Sequence, residues 1–181
     1  MAMIVRSICL VVVCSLAWSC SKARQSSSSL STAAYIDISK LSGEWHIPAR
    51  IPTILDRNAV SMRVKIVPDS HGSMKIEWLF KSDSTTDADT TWKLTSSLEN
   101  QSSTTTWVIS PLWPLRFRYQ VIEYSGDYSW VVVGSADRRY VWILSRDKDM
   151  PPELLSGLLS RLETSDFDIA AIRSEIKKSI H

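Results

Sequence analysis

The sequence predicts an all-β fold, either an antiparallel sandwich or a closed up-and-down barrel, and three observations carry the prediction. Eight short β-rich runs follow one another between Gly43 and Arg146. Most of them alternate apolar and polar residues with a period of two, as half-buried strands do. The segments between the runs are turn residues, with no helical stretch long enough to cross over between parallel strands.

Strands are predicted at 43–51, 60–67, 74–80, 91–99, 104–110, 115–124, 128–134 and 139–146. Their separators include Pro68, Asp69 and Gly72, the stretch "KSDSTTDAD", Asn100 with Gln101, and Ser125 to Asp127. These residues favour tight turns between neighbours. In the second strand Met62, Val64 and Ile66 share one face while Ser61, Arg63 and Lys65 share the other. In the third, Ile76, Trp78 and Phe80 oppose Lys75, Glu77 and Lys81, and in the sixth, Phe117, Tyr119 and Val121 oppose Arg116, Arg118 and Gln120. Each of these strands has one wet and one dry side. For the last two strands the predicted inward sets are Trp130 with Val132, and Tyr140 with Trp142 and Leu144. Pro48 falls inside the first strand, where it has no N–H to give a ladder, so a bulge or an unpaired position is expected there.

Beyond residue 149 the periodicity changes. Pro151 and Pro152 suit a helix start, and Leu154, Leu155, Leu158, Leu159 and Leu162 form one apolar stripe, predicting a helix packed on the outside of the sheet. A shorter helix follows Phe167, with Ile169, Ile172 and Ile176 on one face.

At 181 residues the chain accommodates one domain of ordinary size. All three cysteines, Cys9, Cys14 and Cys20, fall in the first twenty residues, so no disulfide within the β-rich region is available. Arg6 followed by an apolar run from Ile8 to Ala17 reads as a secretory signal, short for a membrane-spanning helix. Ala17 and Ser19 put small side chains ahead of Cys20, and "LAWSC" resembles the lipobox of bacterial lipoproteins. That resemblance implies lipidation of Cys20, which becomes the first mature residue. The predicted organisation is a signal peptide at 1–19, a flexible Ser-rich tether at 20–34 and a folded domain at 35–181.

A formal net charge of +2 with 22% charged residues supplies no field for nucleic acid. Catalytic signatures are also missing from the sequence: it has no nucleophile elbow, no metal-spaced cluster and no Gly-rich phosphate loop, and His46, His71 and His181 are its only histidines. Asp83, Asp87 and Asp89 read as a solvated turn rather than a calcium site. Asn100-Gln101-Ser102 matches a glycosylation acceptor only by chance in a chain with a bacterial-type signal. No enzyme activity, cofactor or metal is therefore expected.

Eight tryptophans are many for this length. Residues alone leave two readings of the inward aromatics: they fill a solid core, or they line a pocket. The stretch "SPLWPLRF" likewise reads either as a loop folded over its own apolar residues or as an apolar lip at Leu112 and Trp113, with Arg116 and Arg118 beside it.

Longer motifs favour the pocket. Leu41-Ser42-Gly43-Glu44-Trp45 with Ala49-Arg50 resembles the Gly-x-Trp signature of the lipocalins. "ADRRYVWILSR", 136–146, resembles the last barrel strand of the bacterial lipocalin and apolipoprotein D branch. Tyr119-Gln120-Val121-Ile122, then Gly126-Asp127-Tyr128, then Phe167-Asp168 follow in the family's order. The resemblance spans roughly residues 35–178 and implies an eight-stranded antiparallel up-and-down β-barrel with a C-terminal α-helix packed outside. It implies that Gly43, Trp45 and Arg146 form the structural motif at a closed base, with the arginine across the tryptophan. It also implies a ligand-binding cavity, for which Trp78, Phe117, Tyr119, Trp130, Tyr140 and Trp142 are the candidate lining. The function implied is binding of a hydrophobic small molecule such as a fatty acid or lysophospholipid, stored or transported in the cell envelope. Through Cys20 the protein is expected to be lipid-anchored, at the outer membrane. The different-class alternative is a structural lipoprotein with a filled barrel that docks a partner through its apolar lip.

Overall fold

The computed structural model describes residues 32–54, 56–69, 73–82, 90–99, 104–110, 114 and 116–180. The signal segment, Cys20 and the tether up to residue 31 lie outside the described residues. So do His71, Asp83, Asp87, Asp89, Asn100, Leu112, Trp113 and His181.

Among the described residues a 3-10 turn, Ile38–Leu41, precedes eight strands: β1 Gly43–Arg50, β2 Ala59–Pro68, β3 Met74–Ser82, β4 Thr90–Leu98, β5 Thr106–Ile109, β6 Phe117–Tyr124, β7 Trp130–Ser135 and β8 Val141–Ser145. Helices α1 Pro152–Thr164 and α2 Ile169–Ile180 follow. Each strand pairs antiparallel with its neighbours in sequence, and β8 returns to β1, so the sheet closes into an up-and-down barrel without edges. That closure excludes the sandwich.

Alternation in the sequence becomes inside and outside. Across β2, β3 and β4 the opposed sets Val64–Trp78–Trp92 and Ile66–Ile76–Leu94 face the lumen. Their neighbours Lys65, Glu77 and Lys93 face water, where Lys93 sits 3.4 Å from Glu77.

Two irregularities break the period. Between His46 and Ala49 the register against β8 shifts by one residue, a bulge centred on Ile47 and Pro48. The proline has no ladder hydrogen to lose there. Beyond the bulge the phase reverses. Ala49 joins the outer apolar cluster, whereas Arg50, opposed to Trp142, turns inward. A second shift, between Val121 and Glu123, returns Tyr124 to the inner side and leaves Glu123 outside, where Arg161 of α1 donates to it from 3.0 Å.

The helices cover one wall of the barrel. Ile51 and the outward residues Ala49, Val132, Val141 and Ile143 form a second core with Met150, Leu158, Leu159, Leu162, Phe167, Ile169 and Ile172. Gly134 is required at its centre. A β-carbon there would lie 2.8 Å from Ile122 Cδ1 and 3.0 Å from Phe167 Cζ, so its bare backbone is what lets the ring of Phe167 seat.

This topology puts the β2–β3, β4–β5 and β6–β7 connections at one end of the barrel and the β1–β2, β3–β4, β5–β6 and β7–β8 connections at the other. The first end is closed by the chain that precedes β1. Ala33 donates its N–H to Val121 O, so docking begins two residues before the expected domain start. Ile36 is fully buried, and its N–H meets Thr104 Oγ1 at 3.0 Å. Asp37 caps the 3-10 turn by accepting from Ser39 N at 3.0 Å, and its own N–H donates to Tyr128 Oη.

Candidate functional site

The closed base is built around Trp45 and Arg146. The indole is completely buried and donates to Leu41 O at 2.8 Å. The guanidinium carbon of Arg146 lies 3.6 Å from the centre of the ring, and its nitrogens donate to the carbonyls of Lys40, Ser42 and Glu44 at 2.8–2.9 Å. Gly43 makes room for this cation. Its φ is +106°, a region side chains avoid, and a β-carbon would stand 3.1 Å from an Arg146 nitrogen. The three motif residues thus form one plug, which closes the base and touches no reacting group.

Above the plug the lumen holds a cavity of about 190 Å³. One water needs roughly 10–15 Å³, so this is a ligand-sized space rather than a packing defect. Toward the plug its wall is aliphatic, lined by Leu41, Ile66, Met74 and Ile76, and Val64 and Met62 continue it upward opposite Trp78 and Phe80. An aromatic cluster follows. Trp78 and Trp142 are 5.7 Å apart, Tyr119 meets Trp142 edge-on at 5.2 Å, and Tyr140 stacks on Trp142 at 6.3 Å. Phe80 and Trp92 form a second edge-to-face pair at 5.0 Å.

The cavity reaches the surface at the end opposite the plug. Ile54, three-quarters exposed in the β1–β2 connection, also lines it, with Thr53 and Asp56. This connection is tied down from below. Arg50, turned inward by the bulge, donates to Asp56 O at 2.9 Å and Ala59 O at 3.1 Å, while its Nε lies 3.5 Å from Asp56 Oδ2. Asp56 Oδ1 accepts in turn from Thr53 N and Thr53 Oγ1. The result is a compact strap across part of the mouth.

Electrostatically the cup is close to neutral. Among the described residues that line it Asp56 alone carries a formal charge, and it is compensated by Arg50. Burial pushes the Tyr119 hydroxyl up to about 12, so it stays protonated inside the cup.

Trp78, Phe117, Tyr119, Tyr140 and Trp142 are thus brought together on the cavity wall, and Trp130 is not. Placing Trp130 and Val132 inside requires a correction. Directly opposed residues of an antiparallel pair share a face, and Val133 opposes Trp142 while Val131 opposes Leu144. Val131 and Val133 therefore line the lumen, and Trp130 with Val132 lies under the outer helices. Period two cannot assign this strand, because the helices bury its outer face and the run Val131-Val132-Val133 has no polar side.

Trp92, Trp107 and the strap residues Thr53, Ile54 and Asp56 also line the cavity without having been read as site residues. Trp107 had a usable signal, since it opposes Tyr119 across β5 and β6. The strap had none, because Arg50 faces inward only through the bulge. His46 sits on the outer side of β1, opposite Arg63 and Ser145. Leu112 and Trp113, read either as a loop folded over itself or as an apolar lip, lie outside the described residues.

Comparison with solved structures returns barrels of the same kind. The cockroach major allergen Per a 4 superposes with a TM-score of 0.59 at 15% identity, over 78% of this chain and 88% of that one. Insecticyanin from the tobacco hornworm Manduca sexta gives 0.58 at 12% identity, over 76% and 79%, and apocrustacyanin C2 gives 0.58 at 9%, over 79% and 87%. At such identities the likeness is one of fold. No curated protein sequence matches the chain. The family of the Lipocalin-like domain matches residues 36–177, and with its closed barrel, plugged base and apolar cup this chain belongs to the lipocalin-like family, whose members generally bind small hydrophobic ligands.

Proposed function

We propose that this protein binds an acyl-chain compound of the fatty acid or lysophospholipid type in its cup, for storage or transport in a bacterial cell envelope. The observation that carries this reading is the cavity of about 190 Å³, walled by aliphatic and aromatic side chains and open past Ile54. Burying each methylene of a chain there contributes roughly 0.8 kcal/mol. Lost freedom of ligand and side chains offsets much of that sum, so affinities in the micromolar range are expected.

Envelope attachment is supported by the secretory pattern at residues 1–19 and by Cys20, followed by the polar stretch to Thr32. The anchor proposed is the lipid on Cys20; among the described residues no helix is long and apolar enough to cross a membrane. Cells fed a labelled fatty acid should incorporate label into the protein and lose it in Cys20→Ala.

Native mass spectrometry of the purified protein tests the binding. A co-purified lipid, or a saturable change in tryptophan fluorescence when fatty acid or lysophospholipid is added, is the expected result. If no lipid copurifies and the fluorescence stays flat, the cup does not bind this class and the reading is wrong.

A further inference from the structure

Within the otherwise apolar cup three hydrogen-bond donors are idle. The indole nitrogens of Trp78, Trp107 and Trp142 are each shielded from water and have no hydrogen-bond partner among the described residues, and all three side chains line the cavity. Trp107 and Trp142 are 4% and 5% exposed. Buried N–H groups are rarely left unmatched, because desolvating a donor without replacing its water is costly. Tyr119 and Tyr140 add two hydroxyls to the same wall, packed against Trp142. Burial keeps the first of them protonated, since it holds that phenol at about 12.

The charge of the wall points the same way. Among the described lining residues there is no Lys, Arg or His, and the single carboxylate is Asp56. The inward-facing cation of β1, Arg50, is spent on Asp56 and two carbonyls. A ligand carboxylate entering this wall would lose its hydration and meet donors without a counter-charge. An uncharged acceptor would meet the same donors without that penalty.

We infer that the cup selects an uncharged lipophile bearing a carbonyl-type acceptor, an acyl ester above a free fatty carboxylate, with the indole N–H groups of Trp78, Trp107 and Trp142 as its polar anchor. A charged head carried by such an ester stays outside, beyond the strap. The inference rests on the proposed binding of acyl chains and narrows it.

Three probes of equal chain separate the possibilities: laurate, methyl laurate and dodecane, titrated calorimetrically into the purified protein at neutral pH. Methyl laurate is expected to bind about tenfold tighter than laurate, about 1.4 kcal/mol, and several-fold tighter than dodecane. Trp107→Phe and Trp142→Phe keep a ring and lose the N–H, so each should narrow the ester-over-alkane ratio measured within that same variant. Indole ¹⁵N–¹H resonances of the unsubstituted protein should move downfield with the ester and not with dodecane, a readout that survives if a variant fails to fold. Laurate binding as tightly as its ester would overturn the charge selection. Ester and alkane binding alike, with unmoved indole resonances, would overturn the anchor and leave the proposed function standing. Binding of none of the three would remove both.

Discussion

Arg50 and Asp56 form an ion pair inside the protein, with Nε 3.5 Å from Oδ2 and both side chains almost wholly shielded from water. The pair exists because Pro48 breaks the register of β1. Two residues after the proline, an arginine that strict alternation would put in solvent points into the barrel. There it holds Asp56, and through it Thr53, at the mouth.

Breaking that pair should cost stability steeply. Asp56→Asn leaves the guanidinium buried without its counter-charge, and a loss of about 3–5 kcal/mol is expected from urea unfolding at unchanged m-value. Amide hydrogen exchange in the strap should accelerate in the same variant, since Asp56 also accepts from Thr53.

At the opposite end, Arg146→Ala should destabilise without touching the cup. It removes a cation lying 3.6 Å over Trp45 and three hydrogen bonds to carbonyls. A loss of about 2 kcal/mol is expected, with affinity for methyl laurate unchanged. Arg146→Lys should recover only part of it, because an ammonium cannot span the carbonyls of Lys40, Ser42 and Glu44 while lying flat on the ring. A large fall in affinity would show that the plug and the cup are not separate.

Tyr119 makes stability fall at alkaline pH. Its folded-state value is raised from 10.0 to about 12 by burial. A raised pKa means that the native protein holds the phenolic proton more tightly than the unfolded chain does. The associated stability is fully present below about 10 and is lost as pH rises from there through about 12. Tyr119→Phe should flatten this part of the pH–stability curve, and the tyrosinate absorbance titration should lose its most alkaline component.

Trp130 and Trp142 offer a direct test of which side of the wall matters. Trp142→Ala should weaken ligand binding, while Trp130→Ala should leave it unchanged and lower stability through the helix-covered face. Equal effects of the two on affinity would contradict the assignment of faces.

The outer helices should be separable from the cup in the same way. Phe167→Ala empties the site over Gly134 and is expected to cost about 3–5 kcal/mol, read as an earlier unfolding midpoint. Hydrogen exchange in α2 should rise more than in β3 and β4, whose main contacts are with neighbouring strands.

Sequence by itself determined the strands, their antiparallel order, the two helices and the inner faces of β2, β3, β6 and β8. These rest on local causes: period two where one face is wet and the other dry, turn residues between neighbours, and a leucine stripe behind two prolines. The motifs around Gly43, Trp45 and Arg146 were legible only through their resemblance to the lipocalin signature, since no local pattern pairs residue 146 with residue 45. The tertiary structure decided what local pattern cannot carry. Strand pattern alone left barrel and sandwich open; the motif resemblance pointed to the barrel, and the closure of β8 on β1 establishes it. The helices made the outer side of β7 as dry as its inner side, so only the register against β8 could place Trp130 outside. The one-residue bulge at Pro48 sent Arg50 inward to Asp56, because a slip of one residue exchanges every face beyond it.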